Sequence, residues 1–526
     1  MGIKLYIAAA ASVALAAMFF YKLMTHRRMF RNLPGPPHHW LFGHLPIMGK
    51  IAASLPPDAN PQAYAHYIRK EYRLGEFFYL DLWPLTESQL VCCDPEIAAY
   101  ITQVKNFDKG AMISKFMEPL VGKKSVVALN GAEWKMVRRV LNPGFATSAL
   151  QQHIPNIVND ACIFAGILEE HAKKGDVFPM EEHVARVIIN IMCRVALDID
   201  CKAQTEDHPL TAGIRMQADL QPVALLARYL PDPNPYRRWL RARNTKRINN
   251  LIVQIVQDRI NKPEAVTPDG KKVKKHHFVD LALEAFNEQN GDGKVTGISP
   301  QFLEMMTSQI KSVIFAGHDS SANTVCYVFH ELSRHPEILA KVRAEHDEIL
   351  GTDIDKAADI IKANPALLNK MDYTLAVIKE TLRKWPPIAG SYRFGSKEHP
   401  VSHNGNTYPT YPFACYVNDY AIMRSEEVFP EPLAFKPERF LVPDGHPLAV
   451  PKNAWRPFEK GPRFCVGEAM ALIQTKVLLV MVLRKFDITA AYEHPGPEME
   501  GERMYQTLHV TAKPKDSMPA RVSFRK

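Results

Sequence analysis

Residues 458–467 read Phe-Glu-Lys-Gly-Pro-Arg-Phe-Cys-Val-Gly, a cysteine set between two glycines with an arginine two positions before it. This segment restricts the fold because it runs straight into 469–483, an apolar stretch with the composition of a buried helix. A cysteine just ahead of a helix meets unbonded backbone N–H groups and the positive end of the helix dipole, both of which favour a thiolate. Gly461 and Gly467 are expected to take left-handed turns and to let the backbone approach a flat bound group. Arg463 is positioned to meet an anionic group on that ligand's edge. A buried structural cysteine is the ordinary fate of an isolated Cys, but ten patterned positions favour a presented thiolate.

The segment resembles the heme-binding loop of the cytochrome P450 superfamily, Phe-x-x-Gly-x-Arg-x-Cys-x-Gly, and matches it at Phe458, Gly461, Arg463, Cys465 and Gly467. The resemblance covers the chain from its proline-rich hinge to near the C-terminus. It implies a mainly α fold with smaller β segments: a helix-rich, triangular single domain around heme b, preceded by an N-terminal transmembrane helix. Cys465 would be the axial ligand of the heme iron, and thiolate ligation favours O–O cleavage. The implied activity is that of a monooxygenase placing one oxygen atom of O2 into an apolar organic substrate, by hydroxylation or epoxidation. Its electrons would come from NADPH through an acidic flavoprotein reductase, because no G-x-G-x-x-G fingerprint follows a strand in this chain.

Three further patterns carry chemistry. The longest helical candidate begins at Ser299-Pro300, an N-cap followed by proline at the first position, and stops at His335-Pro336. Inside it lies Ala316-Gly-His-Asp-Ser-Ser321, and Ser and Asp are poor residues for a helix interior. Alone this reads equally as a kink; beside the cysteine loop it resembles the superfamily's oxygen-activating groove. There Asp319 delivers protons and Ser320 stabilises oxygen at the reaction centre. Ser stands where Thr is commoner, and His318 is expected to face away from the iron. Second, Glu380-x-x-Arg383 puts both side chains on one helix face, a weak signal alone. With Pro437-Glu-Arg439-Phe it resembles the family's buried charge network, which supports the cysteine loop; Met423-Arg424 stands where His-Arg is common. Third, Trp134-x-x-x-Arg138 and Arg393 resemble the positions that, with Arg463, hold the heme propionates.

Eight cysteines without a C-x-x-C pair argue against a zinc site or a disulfide framework and fit a cytosol-facing domain. The net charge of +9 is mild for 526 residues, and the basic runs lack interleaved aromatics, which argues against a nucleic-acid partner. Lys135, Arg138, Arg139, Arg456 and Lys460 are expected to form a positive face around the cysteine, where the reductase docks. From Leu5 to Tyr21 there is no charge, and Lys22, Arg27, Arg28 and Arg31 follow. This pattern predicts a single-pass anchor with the body on the cytosolic side of the endoplasmic reticulum. A cleaved signal peptide is the alternative, since Ala14-Leu-Ala16 resembles a cleavage site. The expected organisation is therefore an anchor at 1–26, a basic and proline-rich hinge at 27–45, and a catalytic domain at 46–526.

Strands are expected at 76–83 and 88–93, then helices to about 390, then a proline-rich β segment with a hairpin at Asn404-Gly405. The polar loop 261–277 is expected to join helices within one domain. By resemblance the substrate pocket draws on 108–120, 203–230, 306–316, 388–392 and 504–507, which contain Met112, Phe116, Met117, Phe315, Ile388 and Tyr505. An apolar ligand follows. The chain looks most like filamentous-fungal members that tailor polyketide-type secondary metabolites. Fatty-acid or xenobiotic hydroxylation is the alternative. A peroxide isomerase and a non-catalytic heme sensor are further readings, against which the Asp319-Ser320 pair argues.

Overall fold

Seven helices and four strands organise the parts of the molecule that matter for the site. The computed structural model describes residues 2–221, 232–261, 277–289 and 299–525. The helices are α1 (Gly2–Arg28), α2 (Gly131–Leu141), α3 (Thr147–Lys174), α4 (Met180–Leu197), α5 (Pro300–Arg334), α6 (Asp372–Lys384) and α7 (Glu468–Leu483). The strands β1 (Phe77–Leu80), β2 (Gln89–Cys92), β3 (Ser391–Phe394) and β4 (Ala414–Val417) form a mixed sheet in the order β1-β2-β4-β3. In it β2 and β4 run parallel, while Arg393 of β3 lies opposite Cys415 of β4.

Helix α5 is the spine. The Ser299 side chain accepts from the Phe302 N–H, Pro300 occupies the first turn, and Pro336 opens the following helix, so both ends lie where the sequence places them. Its 35 residues extend roughly 50 Å and pack most heavily on α4. Helix α7 is apolar along most of its length, and it packs against α3 and α5 with most of its residues buried. The strands fall within the expected runs, and the hairpin forms between Val401–His403 and Asn406–Tyr408, with Asn404 and Gly405 both at positive φ. Most of the polar loop 261–277 lies outside the described residues.

The N-terminal helix is longer than the sequence reading assigned to the anchor, reaching Arg28 rather than residue 26. It is long and apolar enough to cross a membrane from Ile3 onward. Its last turn is docked on the body. Asp81, fully buried just after β1, pairs with Arg27 and lies 3.1 Å from His26 Nε2 and 2.8 Å from His38 Nε2. Burial alone would raise the Asp81 carboxyl, but hydrogen bonds from His26, His38 and Arg27 outweigh it and hold the group well below the usual carboxylate range. Arg27 also donates to the Leu41 and Trp83 carbonyls, Phe19 stacks on Trp83 at 5.5 Å, and Phe30 stacks on His38. The hinge is therefore folded onto the sheet, with its end knitted to the anchor.

Candidate active site

Cys465 sits on a loop shaped by short backbone bonds: its N–H donates to the Phe458 carbonyl (2.8 Å), and Phe464 N–H donates to the Gly461 carbonyl (3.0 Å). Gly461 has φ +87°, and a Cβ there would come within 2.5 Å of the Thr102 carbonyl, so glycine is required twice over. Gly467 corrects the sequence reading. Its φ is −88°, an ordinary right-handed value, and it serves as the N-cap of α7. A Cβ there would meet only the Cys465 Sγ, at 3.8 Å, so no backbone strain demands glycine at 467. Cys465 is an accessible residue yet closely surrounded by protein. Burial raises its pKa above the ordinary thiol value, against a lowering by the Gly467 N–H and Arg138.

Around this thiol the fold gathers cations from the cysteine loop itself and from three distant segments. Arg463 donates to the Leu129 carbonyl (2.8 Å) and Asn130 Oδ1 (2.7 Å) and stacks on the Trp134 ring at 4.4 Å. Arg138, one turn along α2 from Trp134, lies over the Phe464 ring at 4.5 Å. Arg393 reaches in from β3, ion-pairs with Glu459 and donates to the Phe107 carbonyl. Lys109 completes the group. Burial lowers its pKa to about 8 despite Glu459, and burial with Arg393 lowers Arg463 to about 10. Conversely Glu459 is held below its ordinary value: burial opposes this, but Lys109 and Arg393 prevail.

Two donors in this cluster have nothing to donate to. Arg138 Nη2 and Arg393 Nε are buried without a hydrogen-bond partner. Buried guanidinium N–H groups are normally satisfied, so a pair of orphans beside an accessible thiol fits an anionic prosthetic group. Heme meets these requirements: one soft ligand for its iron and cationic partners for its propionates.

The turn 316–321 remains helical throughout, with Ser320 Oγ donating to the Ala316 carbonyl (2.7 Å). Ala316, Gly317 and Ser320 are accessible although they lie mid-way along a buried helix; His318 and Asp319 are buried on other faces. His318 bonds the Ile314 carbonyl at 2.9 Å. Gln474 of α7 donates to Ser321 Oγ (2.7 Å) and the Gly317 carbonyl (3.4 Å), tying this turn to the helix that begins at the cysteine loop.

Glu380, Arg383 and Arg439 are fully enclosed. Arg383 grips Glu380 with two parallel bonds (Nε to Oε2 2.7 Å, Nη2 to Oε1 2.8 Å) and donates to the Met423 carbonyl. Arg439 Nε adds a bond to Glu380 Oε1 (3.3 Å) and its Nη2 donates to the carbonyls of Pro430 and Glu431. Trp455 Nε1 donates to the Lys379 carbonyl, joining α6 to the strand of chain that leads into the cysteine loop.

Two expectations change here. Arg456 belongs to no positive surface: it is buried, ion-paired to Asp419 (2.8 Å) and donating to Thr102. Lys135 and Arg139 are exposed and Lys460 is half-buried, whereas Arg138 points inward. Tyr505 does not offer its ring to the interior space. It packs with Ala59, Ala63, Ala389 and Tyr420, and its hydroxyl donates to Asp58. Met112 and Phe315 are buried and Ile388 is half exposed; residues 222–230 of the expected pocket lie outside the described residues. Sequence reasoning missed Lys109, Asn130, Glu459 and Gln474, none of which is a fixed position of a motif; their partners lie far away along the chain.

The family model for cytochrome P450 matches residues 33–515. Among curated proteins the chain is 35% identical to "Cytochrome P450 monooxygenase polC" of Polytolypa hystricis, across 96% of this chain and 93% of the relative. It is equally 35% identical to "Cytochrome P450 monooxygenase acrF" of Aspergillus aculeatus, across 89% of this chain and 98% of the relative. Among solved structures, a cytochrome P450DA heme domain superposes with a TM-score of 0.73 at 18% identity, covering 94% of this chain and 97% of that one.

Proposed function

The chain belongs to the cytochrome P450 family and is a heme-thiolate monooxygenase, and from that premise we propose a residue-level account of how it works, where it sits and what it oxidises. Heme b, when bound, supplies the oxidising chemistry: with O2 and NADPH-derived electrons it transfers one oxygen atom to an organic substrate. The protein's part is to hold, orient and protonate. Cys465 would hold the heme iron through its sulfur, and Phe458, Gly461 and Gly467 shape its loop. Arg138, Arg393, Arg463 and the Trp134 indole receive the propionates. Glu380, Arg383 and Arg439 brace the chain behind that loop. Asp319 would supply protons for the reaction, and the Ser320 hydroxyl, one residue on, would order the groups on the accessible face of the helix.

The substrate is an apolar small molecule, and the reaction is a hydroxylation or epoxidation in the tailoring of a polyketide-type secondary metabolite. Two things support this: the apolar side chains Met112, Met117 and Phe315, and the fungal sources of the relatives at 35% identity. The anchor helix, which runs to Arg28, and the hinge up to residue 45 tether the catalytic domain (46–526) to the endoplasmic reticulum as a single-pass protein facing the cytosol. The basic residues that follow the apolar helix support this orientation. The exposed Lys135 and Arg139 with Lys460 form the docking face for an NADPH-dependent flavoprotein reductase.

One observation carries the account: an accessible, protein-enclosed thiol stands beside two buried guanidinium groups that lack acceptors. The test is the absorption spectrum of the heme-loaded, reduced protein under carbon monoxide. A red-shifted Soret band of the thiolate type is expected in the parent and lost in Cys465→His. A parent spectrum of the histidine-ligated type overturns the account.

A further inference from the structure

Glu459 stands at a variable position of the cysteine-loop motif, one residue after Phe458, and its backbone has φ +57°. That left-handed angle suits glycine and strains a glutamate, so a charged side chain kept there calls for a reason. The side chain is 13% exposed. Its Oε1 accepts from Ser391 Oγ (3.1 Å) and from Arg393 Nη2, two donors on one face of β3. Both bonds use the one oxygen, so a glutamine would keep them. A brace between β3 and the loop does not need the charge.

The charge is felt across the site. Burial lowers Lys109, and Glu459 opposes it; burial and Arg393 lower Arg463, and Asp108 and Glu459 oppose them. Burial is the largest cause raising the Cys465 thiol, and Glu468 and Glu459 push the same way against the Gly467 N–H and Arg138. A carboxylate that resists a negative charge on the sulfur also resists one on the iron that the sulfur would hold. The first electron of the reaction is such a charge: it enters the heme and no atom leaves. Lys109, Arg138, Arg393 and Arg463 favour its arrival, and beside the two propionates Glu459 is a third carboxylate opposing it.

We propose that Glu459 is a redox-tuning residue of this site, a fixed negative charge that lowers the reduction potential of the bound heme. It acts through Lys109 and Arg393, whose charge it partly cancels, and needs no contact with oxygen or substrate. The resting protein is thereby harder to reduce. The inference rests on the monooxygenase reading above.

The test is an anaerobic spectroelectrochemical titration of the full-length, heme-loaded chain in detergent at pH 7, without substrate or reductase. In Glu459→Gln the ratio of reduced to oxidised protein at a fixed poise should rise about tenfold, a midpoint shift of about 59 mV for one electron. Glu459→Asp keeps the charge and tolerates the left-handed angle, so it should recover most of the parent value. Lys109→Met removes a cation from the same group and should move the midpoint the other way. Where Glu459→Gln fails to accumulate, Glu459→Gly, which suits the backbone and lacks the carboxylate, should give the same rise. An unmoved midpoint in a Gln or Gly variant that keeps the thiolate-type carbon monoxide spectrum overturns the inference. So do shifts of one sign in the Glu459 and Lys109 variants, or failure of both Glu459 variants to hold heme. Absence of that spectrum in the parent would instead overturn the function it rests on.

Discussion

Two clusters of buried arginines among the described residues differ in what stands at their centre: a buried carboxylate in one, the cysteine loop in the other. Around Glu380, two guanidinium groups share one carboxylate and donate their remaining N–H groups mostly to backbone carbonyls. Around Cys465, the arginines stack on aromatic rings and take a few carbonyls, leaving Arg138 Nη2 and Arg393 Nε without acceptors. In the first cluster one carboxylate answers two arginines, and Arg439 Nη1 is left without a hydrogen-bond partner. In the second, Arg138, Arg393, Arg463 and Lys109 stand with Glu459 beside Cys465, an excess of positive charge that suits an anionic ligand. Neither composition nor an orphaned donor by itself distinguishes a brace from a binding site; the accessible cysteine beside the second cluster does.

The contrast can be broken by mutation. The largest effect is expected at Cys465→Ala: the thiolate-type spectrum disappears and oxygenation falls to background, while the apoprotein melts as the parent does. Glu380→Ala strands two buried arginines and should cost about 3–5 kcal/mol of stability, seen as a fall in melting temperature with or without heme. Arg138→Leu should act the other way. It removes a cation that lacks an acceptor, so apoprotein stability should change by less than about 1 kcal/mol while heme is lost several-fold faster to apomyoglobin. Equal destabilisation of the apoprotein by the Glu380 and Arg138 variants would erase the distinction. The smallest effect is expected from Lys135→Glu with Arg139→Glu: melting stays within about 0.5 kcal/mol, and only the rate of reduction and its salt dependence fall.

How much of this was legible depended on how local each constraint is. The ends of α5 were readable because a cap and a proline act on their own neighbours. The cysteine loop and the Glu380–Arg383 pair were readable because their spacing is itself the geometry. The partners of Arg393 and Asp319 were not. Glu459 meets Arg393 across 66 residues, and Thr511 meets Asp319 across 192, with no periodicity to announce either contact. Arg456 was misread for the same reason: a basic residue near the cysteine in sequence is a surface charge until Asp419 is known to lie beneath it. Gly467 was misread because the motif gives a residue and not a dihedral angle.

The docking of the anchor helix onto Asp81 bears on how the protein can be handled. A soluble form cut just after Arg28 discards both Arg27 and His26, stranding a fully enclosed carboxylate with His38 as its remaining histidine partner. Such a form should misfold or aggregate for reasons unrelated to lipid. A cut near residue 20 removes most of the apolar span and gives up the Phe19–Trp83 stack, but it keeps His26 and Arg27 on Asp81.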